Sequence, residues 1–362
     1  MKKSSKFEET LKKAESGDPG AQFDLGNMYY NGEGVKENPA EAAKWFRKAA
    51  EQGLVGAQFN LAVCCDAGFG VEPDRAEAAK WYRKAAEGGY ADAQYNLALC
   101  YYNGDGVEKD PAEAAKWFLK AALLGQADAQ FNLGCMLCKG EGTEQDTAEA
   151  VKWFRRAAEQ GNVEAQVNLG RMYYTGRGTK KNRVKAAKWL ALAAESGHSD
   201  AQYLLAKCYY RGHGVKRNAG EMIKWCRLAA EQGHVKARFH LGVCCDTGIG
   251  VGQDAAEAAK WYRLDAAQGY PDAQFNLAVC YDSGTGVEKD AAEAVKWYRK
   301  AAEQGHMSAQ FNLAASYLKG EGVEQDLSEG IEWLCKAAEQ GHTGALAALK
   351  SFEGSDSEAG AA

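Results

Sequence analysis

The sequence predicts an all-α chain of nine tandem helix-turn-helix repeats of 36 residues, with a capping helix at each end. The first observation behind this fold class is an Ala-Gln dipeptide, or a variant of it, that recurs every 36 residues from Ala21 to Ala345 without insertion. The second is the spacing of all nine tryptophans, which keep the same interval from Trp45 to Trp333. A strict period through a whole chain is typical of an α-solenoid, in which each repeat packs on its neighbours.

The two ends of the chain depart from the repeat in a way that suits end caps. The first segment is a polar half-repeat with Glu9 where a tryptophan would stand. We expect an N-terminal capping helix in residues 1–16, the nine repeats in residues 17–340 and a C-terminal capping helix in residues 341–354. Residues 355–362 are expected to form a disordered tail.

The first helix of each repeat is predicted from apolar residues that share one face. Repeat three shows the pattern in Ala93, Leu97, Cys100 and Tyr101, at spacings i, i+4, i+7 and i+8. A Gly-x-Gly turn follows in every repeat. Because glycine adopts the left-handed conformation without a Cβ penalty, this turn is expected to end the first helix.

The second helix has an explicit start signal. In repeat one, Asn38-Pro39-Ala40-Glu41 offers an N-cap side chain, a proline at the first helical position and a glutamate that can reach back to the cap. Alanine pairs then flank the tryptophan, which allows close approach of neighbouring helices. Each buried tryptophan removes roughly 150–250 Å² of surface from water.

Composition indicates a cytoplasmic protein that does not associate with membranes. The chain is 46% hydrophobic and 26% charged, with a net charge of −5. No apolar run approaches the ~18 residues that span a bilayer, and the N-terminus is polar where a signal peptide needs apolar residues. The 11 cysteines are an odd number and lie in apolar helical patterns, which fits a reducing compartment better than a disulfide framework.

One motif runs through all of the repeats. In repeat one it reads Ala21-Gln22…Leu25-Gly26…Tyr29…Gly32-Glu33-Gly34-Val35, then Ala42-Ala43-Lys44-Trp45…Ala49-Ala50…Gly53. This motif resembles the Sel-1-like repeat, a relative of the tetratricopeptide repeat, over residues ~17–350. The resemblance implies a right-handed superhelix that binds partner proteins in adaptor, assembly or host-contact roles.

Departures from the motif concentrate in the middle of the chain, where repeats five and six are basic. From Ala165 to Arg238 there are 15 Lys and Arg residues against 4 Asp and Glu residues. By analogy with tetratricopeptide repeats, the concave surface is lined by the residues two, six, nine and ten positions after the alanine of the first helix. We therefore predict a partner-binding groove that includes Arg171, Tyr174, Tyr203, Lys207, Tyr210 and Arg211. We add His240, which stands where most first helices have asparagine.

Such a groove can hold an acidic or C-terminal carboxylate segment of a protein or peptide through charge-assisted hydrogen bonds. The alternative is that these cations balance acidic neighbouring repeats on solvated faces. Nucleic acid is not expected as a partner, because the chain is acidic overall. We expect a monomer.

A column of asparagines on the first helices is a second candidate surface. These side chains can bond the backbone of an extended peptide, or they can bond within the helix surface and between repeats. The sequence leaves both interpretations open. The column consists of Asn60, Asn96, Asn132, Asn168, Asn276 and Asn312.

Metal-binding and cofactor roles are not expected. Cysteine exchanges with methionine at one repeat position, as in Cys100 and Met136, which indicates core filling. Cys135-x-x-Cys138 lacks a second Cys or His pair at zinc-like spacing. The histidines that follow the inter-repeat glycines occupy a recurring structural position near the start of the first helix.

Catalysis is not expected either. Ser316-Tyr317-Leu318-Lys319 matches Ser-x-x-Lys, but neither a Lys-Thr-Gly nor a Ser-Asp-Asn element accompanies it. The sequence therefore predicts a protein-binding scaffold or adaptor. The alternatives are a secreted host-contact protein and a β-lactam-binding hydrolase, since a cysteine-rich secreted branch of the family that it resembles is linked to penicillin hydrolysis.

Overall fold

The structure is a computed structural model that describes the backbone of residues 5–359 and the side chains of residues 6–352. Every regular element in this part of the chain is an α-helix, which confirms the all-α fold class. The helices are α1 (Ser5–Glu15), α2 (Pro19–Asn31), α3 (Pro39–Glu51), α4 (Val55–Ala67), α5 (Arg75–Glu87), α6 (Ala91–Asn103), α7 (Pro111–Leu123), α8 (Ala127–Lys139), α9 (Thr147–Glu159), α10 (Val163–Thr175), α11 (Arg183–Glu195), α12 (Ser199–Arg211), α13 (Ala219–Glu231), α14 (Val235–Thr247), α15 (Ala255–Ala267), α16 (Pro271–Ser283), α17 (Ala291–Glu303), α18 (Met307–Lys319), α19 (Leu327–Glu339) and α20 (Thr343–Ala359).

The chain divides into two compact units, Met1–Trp189 and Leu190–Ala362. Within the first unit, each helix from α1 to α10 packs on the helices before and after it. Within the second unit, the helices from α12 to α20 do the same. Each unit is therefore a row of helix pairs, as expected for tandem repeats that bury their apolar faces on their neighbours.

The second helices start at side-chain caps, as the sequence predicts, but the glutamate does not reach back. The Asp74 carboxylate accepts a hydrogen bond from the Glu77 backbone N–H at 2.9 Å. The Asp74 N–H donates to the carbonyl oxygen of Cys65 at 2.8 Å and needs no second acceptor. The Glu77 carboxylate instead accepts from Trp81 Nε1 at 3.3 Å and from Arg47 at 2.6 Å. The glutamate therefore connects neighbouring repeats.

Each Gly-x-Gly turn ends a first helix, and its second glycine allows close contact with a neighbouring repeat. Gly104 has a φ of 88°, and its N–H donates to the carbonyl oxygen of Cys100 at 2.8 Å, closing α6 in the left-handed conformation. Gly106 lies against the start of α5, where an added Cβ would come within 2.0 Å of the Arg75 carbonyl oxygen. The second glycine is therefore required by close approach of two backbones.

In most repeats, the core consists of small residues from both helices around one leucine and one aromatic ring. In the first unit, Ala57, Leu61 and Phe46 are fully or almost fully buried. Trp81 is 8% exposed, and the Lys84 ammonium lies 3.9 Å from its ring centroid. The alanine pairs thus permit helix contact, and the tryptophan closes the core on its outer side.

The end segments pack as helices on the repeats beside them. Phe7 of α1 is fully buried and makes an edge-to-face contact with Tyr29, with ring centroids 5.6 Å apart. At the other end, α20 continues past residue 354, where the sequence analysis ended the capping helix, as far as Ala359. Residues 360–362 of the expected tail lie outside the described residues. Among the helices of residues 5–359, none combines the length and the apolarity that crossing a bilayer requires.

Candidate partner-binding surface

Two cavities open between consecutive first helices of the first unit, at equivalent positions two repeats apart. We call them the Asn60 cavity and the Asn132 cavity. The Asn60 cavity has a volume of about 320 Å³ and its lining includes Asn27, Tyr30, Phe46, Phe59, Asn60 and Phe69. The Asn132 cavity has a volume of about 270 Å³ and its lining includes Leu99, Tyr102, Phe118, Asn132, Lys139 and Glu141.

The Asn60 cavity is mainly aromatic. The rings of Tyr30 and Phe69 lie 5.0 Å apart, and Tyr30 is 44% exposed at the opening. Asn60 Nδ2 donates a hydrogen bond to Asn27 Oδ1 at 3.3 Å, so two amides lie between the apolar walls. This arrangement suits an apolar side chain whose neighbouring peptide groups bond the amides.

The Asn132 cavity is more polar because its rim carries charge. The Tyr102 hydroxyl donates to Glu141 Oε2 at 3.1 Å, and the Lys139 ammonium lies 3.9 Å from the same carboxylate. Burial, together with the adjacent Glu141 carboxylate, raises the pKa of Tyr102. The hydroxyl is therefore a neutral hydrogen-bonding group at physiological pH.

The residues of the predicted basic groove fall in both units. Arg171 is exposed and Tyr174 is half-buried on α10 of the first unit. Tyr210 and Arg211 are exposed near the end of α12 in the second unit, and the Arg217 guanidinium lies 5.7 Å from the Tyr210 ring centroid. Binding of a partner by these basic residues remains a prediction, and it is made for each unit separately.

Within the second unit, the structure brings together three of the predicted groove residues. Tyr203 is only 7% exposed, and its ring lies 5.5 Å from His240 and 4.6 Å from His234. The Lys207 ammonium lies 5.5 Å from the Tyr203 ring centroid. Burial raises the pKa of Tyr203. Lys207 and His240 are therefore the accessible members of this cluster, with Tyr203 beneath them.

The predicted asparagine column is half-buried and already makes bonds within the protein. Asn168 Nδ2 donates to the Glu164 carbonyl oxygen at 3.0 Å. Asn60 Nδ2 donates to Asn27 Oδ1 at 3.3 Å. An asparagine amide offers two donors and an acceptor with two lone pairs, so these bonds use only part of its capacity. Binding of a peptide backbone by the column remains a prediction.

The cysteines and histidines considered above lie at positions of core packing and helix capping. Burial raises the pKa of Cys64, Cys100 and Cys135 to about 11, so these thiols stay protonated. Residues 6–352 contain no group of three or more Cys, His, Asp or Glu side chains arranged to hold a metal ion. His234 accepts a hydrogen bond at Nδ1 from the Ala237 N–H at 3.2 Å and thereby caps α14.

The Ser-x-x-Lys match lies on α18 in ordinary helical surroundings. The Ser316 hydroxyl donates to the Asn312 carbonyl oxygen at 3.1 Å, one turn earlier. The Lys319 ammonium lies 3.8 Å from the Glu321 carboxylate. Both functional groups therefore have local partners.

The repeat geometry agrees with a family comparison. The model of the Sel1 repeat matches nine successive segments, at residues 19–54, 55–90, 91–126, 127–162, 163–198, 199–234, 235–270, 271–306 and 308–342. The chain belongs to the Sel1 repeat family. The nine Sel1 repeats coincide with the nine helix pairs from α2 to α19, which confirms both the family resemblance and the repeat count.

Two solved structures of Sel1 type are similar to this chain. One is a protective antigen present in uropathogenic Escherichia coli strains, with 37% identity, a TM-score of 0.77, and coverage of 94% of this chain and 80% of that one. Another is a Sel1 repeat protein from Oxalobacter formigenes, with 33% identity, a TM-score of 0.65, and coverage of 87% and 94%. Among curated proteins, no sequence matches this chain.

Sequence reasoning did not identify the two cavities, although it named positions that line them. Asn60 and Asn132 belong to the predicted column, and Phe59 and Val63 occupy positions that the tetratricopeptide analogy assigns to the concave surface. The sequence pattern did not show which residues of successive repeats lie side by side. Tyr30 and Phe69, for example, are 39 residues apart and meet only when two first helices pack side by side.

Proposed function

We propose that this Sel1 repeat protein is a scaffold that binds a partner polypeptide along the surface of its first helices. A Sel1-type repeat array is a fold that typically mediates protein–protein interaction. The observation that carries the proposal is the pair of equivalent cavities in the first unit, lined by the repeat positions that the sequence analysis assigned to a concave surface.

The chemistry of the first unit favours an extended segment with mixed side chains. The Asn60 cavity is walled by aromatic rings such as Phe59 and Phe69, whereas the Asn132 cavity presents Lys139 and Glu141. A bound segment would place an apolar side chain in the former and a polar one in the latter. The two recognition sites would share one register because they lie at the same repeat position.

The basic repeats favour an acidic partner. Repeat five carries Arg171 on its first helix, and its inter-helix turn contains Arg177, Lys180 and Lys181 with no acidic residue. In repeat six, the exposed Arg211 precedes a turn with a similar balance of charge. An acidic or C-terminal carboxylate segment would gain charge-assisted hydrogen bonds from such guanidinium groups.

Affinity capture with a matched charge control tests this proposal. The test variant is R171E/K207E/R211E. The control is K44E/K116E/K152E, which changes the net charge equally at second-helix lysines whose side chains are 68%, 68% and 65% exposed. A partner captured by wild type should be lost by the test variant and kept by the control. Equal capture by all three proteins would contradict a role for the basic residues.

The cavities need a separate variant because they can act without the basic residues. Replacing Tyr30 and Tyr102 with alanine should weaken binding of the captured partner at least tenfold in a titration with purified components. Circular dichroism and thermal melts would establish that the variants remain folded. If neither the basic-residue variant nor the tyrosine variants change the affinity, the first-helix surface is not the binding site.

We also propose a second candidate, exposure of the chain to a host. One observation favours it, namely the 37% identity over 94% of this chain to a protein described as a protective antigen. Cell fractionation of the source organism with an antiserum against this chain tests it. Recovery in the surface or culture fractions would favour host contact, whereas recovery in the cytosol alone would contradict it.

A further inference from the structure

The residue that precedes each first helix differs systematically between the two units. In the second unit, four of these five N-cap positions carry histidine, at His198, His234, His306 and His342, and the fifth carries Tyr270. The corresponding residues of the first unit, from repeat two onward, include no histidine, and they are Leu54, Tyr90, Gln126 and Asn162.

The histidine rings cap these helices through their unprotonated nitrogen. Nδ1 of His234, His306 and His342 accepts a hydrogen bond from the backbone N–H three residues later, at 3.2, 3.1 and 3.2 Å respectively. Only a nitrogen without a proton can accept this bond, so the cap requires the neutral ring with its proton on Nε2. A proton on Nδ1 would abolish the bond and place positive charge at a helix N-terminus, where it is unfavourable.

The surroundings of His234 keep its ring neutral. Its side chain is 13% exposed, Nε2 lies 3.1 Å from the Asp200 carboxylate, and its ring packs against Tyr203 of α12. Lys236 and Arg238 follow on α14 itself. Burial lowers the pKa of His234, and the Asp200 carboxylate opposes part of that effect.

His306 has similar surroundings at the start of α18. The His306 side chain is 18% exposed, its Nε2 lies 3.4 Å from the Asp272 carboxylate of α16, and its ring stacks on Phe275 at 4.6 Å. Burial lowers the pKa of His306, opposed in part by Asp272. His342 stacks on Phe311 of α18 at 4.4 Å.

We propose that His234 and His306 form a pH-sensitive switch that loosens the starts of α14 and α18 below about pH 6.5, while the helices of the first unit are unaffected. The sign follows from proton binding. In the closed state the buried rings resist protonation, whereas in the open state each ring binds a proton with its ordinary pKa of about 6.5. Lowering the pH therefore favours opening. This inference does not depend on the identity of any partner.

The chain supplies its own non-titrating replacement in Asn162. The Asn162 side chain accepts from the Ala165 N–H at 2.8 Å, and its Nδ2 donates to Asp128 at 2.8 Å. These two bonds reproduce those of His234 without a titrating group. The double variant H234N/H306N should therefore keep the caps and lose the pH response.

Hydrogen exchange of the full chain at pH 7.5 and 5.5, corrected for intrinsic exchange rates, tests the proposal. In wild type, protection of the first turns of α14 and α18 should fall by up to about tenfold at the lower pH, the factor set by a group of pKa about 6.5. Protection of α8 and α10, capped by Gln126 and Asn162, should not change.

Two results would overturn the proposal. One is an equal fall of protection in α8 and α10, which would indicate a global effect of acid. The other is an undiminished fall in the double variant, which would assign the response to other groups. If the double variant is too unstable to compare, the single variant H306N serves, because the loss of the pH response should then be confined to α18. A fall of protection in α18 of H306N as large as in wild type would also contradict the switch.

Discussion

At the residue scale, Leu124 interrupts a hydrogen bond that in several other repeats connects the two helices of the same repeat. In several repeats, a glutamine at the end of the second helix donates to the buried glutamine of the preceding first helix, as Gln160 Nε2 does to Gln130 Oε1 at 2.9 Å. Leu124 occupies this position in repeat three, and Gln94 Oε1 is left buried without a hydrogen-bond partner. Leu124 itself is 57% exposed, so it gains little from burial.

We predict that Leu124→Gln stabilises the protein. The new amide would reach Gln94 Oε1 and satisfy it, which is expected to raise the free energy of unfolding by about 0.5–1.5 kcal/mol. The reverse change, Gln160→Leu, should lower it by a similar amount because Gln130 Oε1 then loses its donor. Urea unfolding of both variants measures the two effects. A destabilising Leu124→Gln would show that the leucine contributes contacts that outweigh the missing bond.

At the element scale, repeat seven replaces the consensus contact between helices with a buried ion pair. Arg238 stands where other repeats have glutamine, and Asp265 stands where other repeats have alanine. The Arg238 guanidinium lies 3.3 Å from Asp265 Oδ1, while Asp265 is 1% exposed and its Oδ2 has no hydrogen-bond partner. Burial raises the pKa of Asp265, opposed in part by Arg238. The two substitutions are therefore coupled.

We predict that the double variant R238Q/D265A is at least as stable as wild type, whereas Asp265→Ala alone costs about 3 kcal/mol. Removing one partner leaves a cation without its counter-charge, but removing both restores the packing of the other repeats. Because the pKa of Asp265 is raised on folding, its ionisation in the folded state weakens stability as the pH rises from about 3.8 through that pKa.

Unfolding free energies at pH 4 and pH 7.5 measure this effect. The advantage of the double variant over wild type should be larger at pH 7.5. All other titrating groups are common to the two proteins and cancel in the difference. An advantage that stays constant between the two pH values would show that Asp265 does not titrate as proposed.

The helix boundaries show which features a sequence specifies locally. Side-chain caps and terminal glycines place the ends of the nine helix pairs correctly, because each of these signals acts within about four residues. The 36-residue period shows that they recur in every repeat. The role of Glu77 was not predictable in this way. Its carboxylate bonds Arg47, which is 30 residues away, so the capping-box expectation was wrong for a reason that appears only when repeats stack.

At the scale of the whole molecule, the candidate site was harder to predict than the fold. The repeat period implies that the first helices lie side by side, yet it does not show which of their side chains leave space between them. Tyr203 illustrates the difficulty, because the repeat pattern assigns it to the binding surface while His234 and His240 pack against its ring. Cavities and buried rings depend on contacts between repeats that differ in sequence.

The burial of the cysteines also predicts how fast their thiols react. No disulfide joins any of the 11 cysteines, all of which lie in the described part of the chain, and Cys335 is exposed, whereas the other ten are buried or half-buried. Burial raises the pKa of Cys226 and Cys245 to about 12. Since the thiolate is the reactive form, these thiols should react very slowly with a disulfide reagent at pH 8.

A thiol titration of native protein that has never been reduced should therefore show one fast-reacting thiol, which is absent in the variant Cys335→Ser. After denaturation, the wild-type protein should show 11 thiols. Fewer than 11 would reveal disulfides and contradict the reducing compartment expected from the sequence.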